Sequence, residues 1–348
     1  MVKAVAFAVP GDLATPTGGY TYDRRIIAEL PALGWQVEAL DIGDGFPRPT
    51  LDARAAACAR LAALPRGRPI VIDGLAYGVL PDAAEALRQR HPVIALVHHP
   101  LAFETGLSER ETQAFRRSER AALACARRVI ATSAATARLL AADYGVPAER
   151  VAVVRPGTDQ VELQPRRLSD AVALLAVGAV VPRKGYDVLI AALAKLGGRR
   201  WRLVIAGDRT RSPDAAARLD ADIARFGLAA RVEILGPIAP ERLGALYSAA
   251  DLFVLPSRFE GYGMAYAEAI AHGVPVVGTN AGAIPDTVPP GAGILLPPDD
   301  VEALAATLRR LIDDPAERQR LAAGARAASF PTWREQAALF ARVLDGLG

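Results

Sequence analysis

Cysteine is nearly missing: the 348 residues hold two, Cys58 and Cys125. They stand far apart in alanine-rich stretches, which excludes a disulfide framework and a zinc site built on cysteine. Both read as small buried hydrophobes. Histidine is scarce too, with four residues, and aromatics make up only 6%. An excess of one charge is also lacking, since 41 Lys and Arg face 38 Asp and Glu, a formal net charge of +3. Nucleic-acid binding calls for a concentrated basic face, and this balance argues against it. A local site for an anionic small molecule is compatible with it. No apolar run approaches the roughly 18–20 residues a membrane helix needs. The opening MVKAVAFAVPGD is a short strand meeting a turn, without the longer apolar core and cleavage site of a secretory signal. The expected location is the cytoplasm, with peripheral contact to the inner face of the membrane left open.

What is present is a regular alternation. Short β-branched runs occur at 2–9, 36–42, 69–73, 93–97, 128–132 and 151–155, and again at 172–177, 202–207, 232–235, 251–255, 275–279 and 293–296. Most are continuously apolar, the pattern of strands buried on both faces of a parallel sheet. Helix-length segments such as DRRIIAELPALG, PDAAEALRQR and RSERAALACARR lie between them. Repeated strand–helix units imply a doubly wound α/β fold. These strands are too many for one ordinary open sheet. The polar stretch TDQVELQPRRLSD (158–170) separates the two series. The expectation is two Rossmann-like parallel-sheet domains, 1–165 and 166–330, facing a central cleft. A last segment, 331–348, reads as a helix starting near Pro331.

Ligands of open α/β sheets bind beyond the carboxyl ends of the strands, so those junctions carry the functional reading. After the first strand, Gly18 and Gly19 precede a helix with Arg24 and Arg25 in its early turns. Glycines permit close backbone approach, and free N–H groups at a helix start bind anions. An ordinary turn explains the pair equally well. The stretch is not G-x-G-x-x-G, which removes the fingerprint of a dinucleotide enzyme. After the fourth strand come His98 and His99. Neighbours on an extended strand point to opposite faces, so both do not readily ligate one metal. One of them could hydrogen-bond a sugar or stabilise developing charge, and the plain alternative is a strand-end histidine bonded to backbone.

In the second series, GAVVPRKGYDVLIAAL places Arg183 and Lys184 between a strand and a helix. Two cations there suit a diphosphate, one as a planar fork and the other as a point charge; a solvated basic turn is the alternative. The stretch FEGYGMAYAE (259–268) holds Glu260, Gly261, Tyr262, Gly263, Met264 and Glu268. Were both glutamates in one helix, their separation would turn them about 80° apart. Glu260 therefore reads as a loop residue, with the helix beginning near Gly263 or Met264. Backbone N–H groups of Tyr262, Gly263 and Met264 would cradle a phosphate, with a carboxylate to either side. Favourable helix-start charges would explain Glu260 but not both glycines. A DAD triplet at 220–222 sits in a polar helix pattern and reads as a solvated face. The helical stretch 117–128 carries mixed charges and also reads as solvated, with a membrane-facing role left as the alternative.

Taken together, GAVVPRKGYDVLIAAL, the stretch from ILGPIAPERL to NAGAIPDTV and the GG loop resemble the retaining, nucleotide-sugar-dependent glycosyltransferases of GT-B fold, family 4. The E-x7-E pattern of that family corresponds to Glu260 and Glu268. The resemblance is specific over about 172–300 and looser in the first domain, and it implies that the final helix, 331–348, crosses back to pack on the first domain. It implies transfer of a hexose from a UDP- or GDP-linked sugar to a hydroxyl acceptor, with retention and without a metal cofactor. Glu268 would bind the ribose, and Glu260 would contact the transferred sugar. Gly261, Tyr262, Gly263 and Met264 would approach the donor. Arg183 and Lys184 would hold the diphosphate with help from Gly18 and Gly19, and His98 would sit at the sugar. The acceptor would be a saccharide, a lipid or a small hydroxylated metabolite. Two positions depart from the pattern: Ala179 stands where an arginine is common, and AGAIPD replaces a GG-x-x-E motif, leaving Asp286 without an assigned role. Another GT-B enzyme, such as a nucleotide-sugar epimerase or a phosphorylase, and a non-catalytic two-domain binding protein are the rival readings.

Overall fold

A computed structural model of the chain describes residues 3–163 and 170–347. It divides into two compact units, one made of Met1–Gly157 with Pro331–Gly348 and the other of Thr158–Phe330. The boundary expected at residues 165–166 lies outside the described residues. The units divide earlier, after Gly157, because the preceding stretch is built into the first unit. Tyr22 Oη donates to Val154 O at 3.1 Å, and a Cβ on Gly157 would lie 2.3 Å from Trp333 N.

The first unit contains β1 (Lys3–Val9), β2 (Trp35–Asp41), β3 (Ile70–Asp73), β4 (Val93–Val97), β5 (Arg128–Ala131) and β6 (Val151–Val153). They form one parallel sheet in the order 2-1-3-4-5-6. Every residue of β3 and β4 is buried, as their unbroken apolar runs require. The helix Trp333–Asp345 returns to this unit, capped by Thr332 and Glu335. Its Phe340 ring stacks on Phe7 of β1 with centroids 6.0 Å apart.

The helix expected at 117–128 runs instead over Glu109–Cys125, because Ser108 and Glu111 form a capping box at its start. Its face is not wholly solvated. Glu119 is buried and accepts the Leu101 N–H at 3.1 Å, anchoring the loop that follows β4. Burial pushes Glu119 up to about 8, against that hydrogen bond. The cysteines are half-buried, not fully buried, and Cys125 Sγ lies 3.3 Å from Glu85.

The second unit contains β7 (Val172–Val177), β8 (Trp201–Ala206), β9 (Val232–Leu235), β10 (Leu252–Val254), β11 (Val276–Thr279) and β12 (Gly293–Leu296). This sheet is also parallel, in the order 12-11-10-7-8-9. Each unit has its own apolar core. Among the described residues, no helix is long and apolar enough to cross a membrane. Replacing fully buried Phe340 with Ala should destabilise the first unit by about 3–5 kcal/mol. Chemical denaturation followed by tryptophan fluorescence checks this, since Trp333 belongs to the same helix.

Candidate functional site

In the second sheet the direction of winding reverses between β7 and β10, which are neighbours although far apart in sequence. Loops leaving two such strands splay apart and leave room for a ligand. The loop after β7 carries Arg183 and Lys184 in a single short turn, Pro182–Lys184. The loop after β10 carries Ser257, Arg258 and Glu260 before the helix Met264–Ala271.

The two loops are joined by charge. Lys184 Nζ lies 2.6 Å from Glu260 Oε1, and Arg183 Nη1 lies 3.3 Å from Glu260 Oε2. Ser257 Oγ donates to Glu260 Oε1 at 2.7 Å, and Arg183 Nη1 also donates to Phe259 O at 2.9 Å. The Glu260 side chain is only 9% exposed and the two cations 14% each. Burial would raise the Glu260 value, but the charges of Lys184 and Arg183 prevail and hold it at about 2. The basic turn is therefore not a solvated one. Gly185 closes it at φ 68°, where an added Cβ would meet Pro256 O at 2.1 Å. Arg258 braces the turn from outside, binding the Asp187 carboxylate at 2.7 and 3.1 Å and Asp299 at 2.7 Å, and donating to Pro182 O.

Glu260 lies in the loop and Gly263 caps the helix at φ 94°, so Met264 is the first helical residue. The backbone beside them is braced through Thr287 Oγ1, which donates to Tyr262 O. Gly261 is buried in this loop. Glu268 stands in the second turn and accepts from Tyr247 Oη at 2.8 Å. Burial raises Glu268 to about 7; the Tyr247 bond and Lys184 oppose this, and Asp159 adds to it.

The first unit has a second charge cluster, again where the winding reverses, between β1 and β3. The helix Gly18–Glu29 begins with Gly18 and Gly19 themselves, because Thr17 caps it by accepting the Tyr20 N–H at 3.1 Å. Gly19 lies against the His98 ring, and a Cβ there would stand 3.1 Å from Cδ2. His98 Nε2 lies 3.1 Å from Asp23 Oδ1 and 3.3 Å from Asp73 Oδ2. Burial would lower the His98 value, but the Asp23 charge and hydrogen bonds to both aspartates raise it to about 10. Burial raises Asp23 to about 7, opposed by His98 and reinforced by Asp73. His99 takes a different partner, Glu104 Oε2 at 3.5 Å.

The ligand atoms of Asp23, Asp73 and His98 lie within 4.8 Å of one another, a spacing that would admit a cation. Asp73 Oδ1 already accepts the Leu75 N–H at 2.7 Å, and the contacts to His98 have hydrogen-bond lengths. A protonated ring explains this set as it stands. The arginines of the helix serve elsewhere. Arg24 binds Thr15 O and Thr21 Oγ1, and Arg25 lies over the Trp333 ring, 5.3 Å from its centroid. Asp220 and Asp222 lie on the helix Pro213–Arg225 and pair with Arg209 and Arg225.

The structure thus gathers Arg183, Lys184 and Glu260 into one cluster and sets His98 beside Gly19 in another. Reading the sequence missed Asp23, Asp73, Ser257, Tyr247 and Arg258. Asp73 carried a usable signal, a carboxylate ending the apolar strand IVID. Asp23 carried none, since DRR looks like any exposed helical start.

Residues 163–328 match the family described as glycosyl transferases group 1, and residues 18–161 match glycosyltransferase family 4. The MMP alpha-(1->4)-mannosyltransferase of Mycolicibacterium hassiacum is 30% identical over 313 residues, covering 84% of this chain and 74% of that protein. The chain belongs to glycosyltransferase family 4. A D-inositol 3-phosphate glycosyltransferase of Catenulispora acidiphila is 37% identical over 228 residues, covering 60% of this family 4 chain and 54% of its own. The chain thus matches about half the length of that relative. Among solved structures, sucrose-phosphate synthase from Thermosynechococcus elongatus superposes with a TM-score of 0.84 at 23% identity, covering 99% of both chains. Anabaena HepE in complex with UDP and glucose gives 0.78 at 22%, covering 99% of this chain and all (100%) of that one. These likenesses establish the GT-B fold for this family 4 chain.

Gly185→Ala should cost about 1–3 kcal/mol through backbone strain and the Pro256 clash. Urea titration of the variant against the parent chain measures it, and an unchanged midpoint would show that the turn can relax.

Proposed function

We propose that the chain transfers a hexose from a UDP- or GDP-linked sugar to a hydroxyl acceptor, with retention and without a metal ion. The observation that carries this reading is the buried Glu260 carboxylate neutralised by Lys184 and Arg183 at the strand reversal of the second unit. A diphosphate is an anion that these cations can take up without leaving their turn. HepE, a protein of the same fold, has been solved with UDP and glucose, and with UDP-glucose.

The proposed chemistry breaks the bond between the anomeric carbon and the diphosphate oxygen. The acceptor oxygen forms the new bond on the same face of the sugar. Its proton passes to the departing phosphate oxygen, so no protein base is needed for that step. Lys184, Arg183 and the amides near Gly263 and Met264 stabilise the negative charge that builds on the leaving group. Glu260, kept ionised by its cations, faces the positive charge developing on the sugar. Gly261 and Tyr262 bring the loop backbone to the donor. Glu268 accepts hydrogen bonds from ribose hydroxyls, and His98, given room by Gly18 and Gly19, bonds the transferred sugar. The acceptor side, a saccharide, a lipid or a small hydroxylated molecule, falls to the first unit in this scheme.

Calorimetric titration with UDP, GDP and their sugars tests the reading; binding of NAD alone would refute it. Glu268→Ala should weaken nucleotide binding by about tenfold or more, whereas Glu260→Gln should depress kcat more than affinity. A pH effect follows from Glu268. Its raised value means that the carboxylate is protonated below about 7, so affinity for a nucleotide-sugar should rise as pH climbs through that value. Glu268→Gln should abolish the rise.

A further inference from the structure

Two aspartates converge on one nitrogen of His98, and both are almost wholly buried: Asp23 is 0% and Asp73 3% exposed at the side chain. Ionised, the two carboxylates only accept hydrogen bonds, and Nε2 then carries the proton they share. Asp73 is fixed through its second oxygen by the Leu75 N–H, while Asp23 Oδ2 has no hydrogen-bond partner among the described residues. The ring is held from two further sides. Tyr22 meets it edge-on at 5.3 Å and 79°, and Gly19 lies against Cδ2. Among the described residues no hydrogen bond reaches Nδ1, and the side chain keeps 20% of its surface exposed.

A neutral ring protonated at Nε2 would leave Nδ1 a bare acceptor and the buried carboxylates without an opposite charge, which is costly. A second proton on Nδ1 supplies that charge. We propose that Asp23 and Asp73 are positioning residues that hold His98 as an imidazolium, making its Nδ1–H a fixed hydrogen-bond donor to an oxygen of the nucleotide-sugar. This rests on the glycosyl-transfer reading above for the ligand, and on the cluster alone for the state of the ring. His98 then takes no proton from the acceptor; that proton goes to the departing phosphate, as the proposed chemistry has it.

The groups facing the ring are few. Asp23 and Tyr22 come from the helix Gly18–Glu29, and Asp73 from the end of β3. The Tyr22 hydroxyl is committed to Val154 O, and Arg24 and Arg25 on the same helix turn to the 13–15 loop and to Trp333. Neighbouring His99 pairs with Glu104. No described cation opposes the two carboxylates except His98 itself.

Nitrogen-15 NMR of the histidine rings in the full chain, without substrate, tests the state directly. The parent should show His98 with both nitrogens protonated from about pH 6 to pH 9, well past the usual imidazole range. Asp23→Asn and Asp73→Asn should each bring its titration down toward that range. In steady-state assays the parent kcat should be flat across the same interval. In either Asn variant, kcat should fall about tenfold or more as pH rises through the lowered His98 value, with the donor KM moving far less. Adding His98→Gln should erase that alkaline limb. A neutral ring in the parent at neutral pH, ring signals that change on adding a chelator, or flat kcat profiles in both Asn variants would each overturn the proposal. The parent spectrum stands even if a variant fails to fold. It also separates the two readings: imidazolium signals without nucleotide-sugar binding would sink the function and leave the positioning role of the aspartates intact.

Discussion

A single buried carboxylate, shared by two cations, organises the second unit. Glu260 sits where water is largely excluded, so removing its partners would strand a charge at a cost of about 3–5 kcal/mol. That penalty ties the turn after β7 to the loop after β10. Arg258 repeats the device from outside, drawing Asp187, Asp299 and the Pro182 carbonyl toward the same turn. Loop shape here is set by charge pairs, whereas strand position is set by apolar burial. A ligand anion entering such a place meets cations already oriented, which limits the ordering cost of binding.

The first unit presents the reverse composition at the corresponding place. There one ring lies between two carboxylates, where the second unit has one carboxylate between two cations. Both clusters stand where strand order reverses, because only there do two βα loops diverge and bring side chains from distant parts of the chain together. Both use short polar residues to hold the charged group in place, Asp73 as the last residue of β3 and Ser257 in the loop after β10.

How far the sequence was legible follows from this division. The twelve described strands of the two sheets could be located: inner strands buried on both faces leave unbroken apolar runs such as VIALV and VALLAV, while edge strands such as β2 and β9 are short β-branched runs that stay partly exposed. Residues 259–268 could be read as loop, cap and helix because glycine and helix periodicity are local signals. Partnership is not local. Nothing in RKG shows that Lys184 and Arg183 close on a carboxylate 76 and 77 residues further on. Nothing in DRR marks Asp23 as buried, and Glu119 looked like part of a solvated face. The helix start at Ser108 was missed although its S-x-x-E capping box is a local signal. The division after Gly157 was not visible, because it depends on Trp333, far along the chain, packing against that glycine.

The return of the helix Trp333–Asp345 to the first unit makes the second unit an insertion within the first. A ribosome must complete residues 158–330 before that helix emerges. At about 5–20 residues per second, this delay is on the order of tens of seconds. Through that interval Phe7 and Tyr22 have no Phe340 or Trp333 to cover them. Of the two units, the one whose strands are made first is thus finished last, and its apolar seam stays open to chaperones, or to other nascent chains, until that helix emerges.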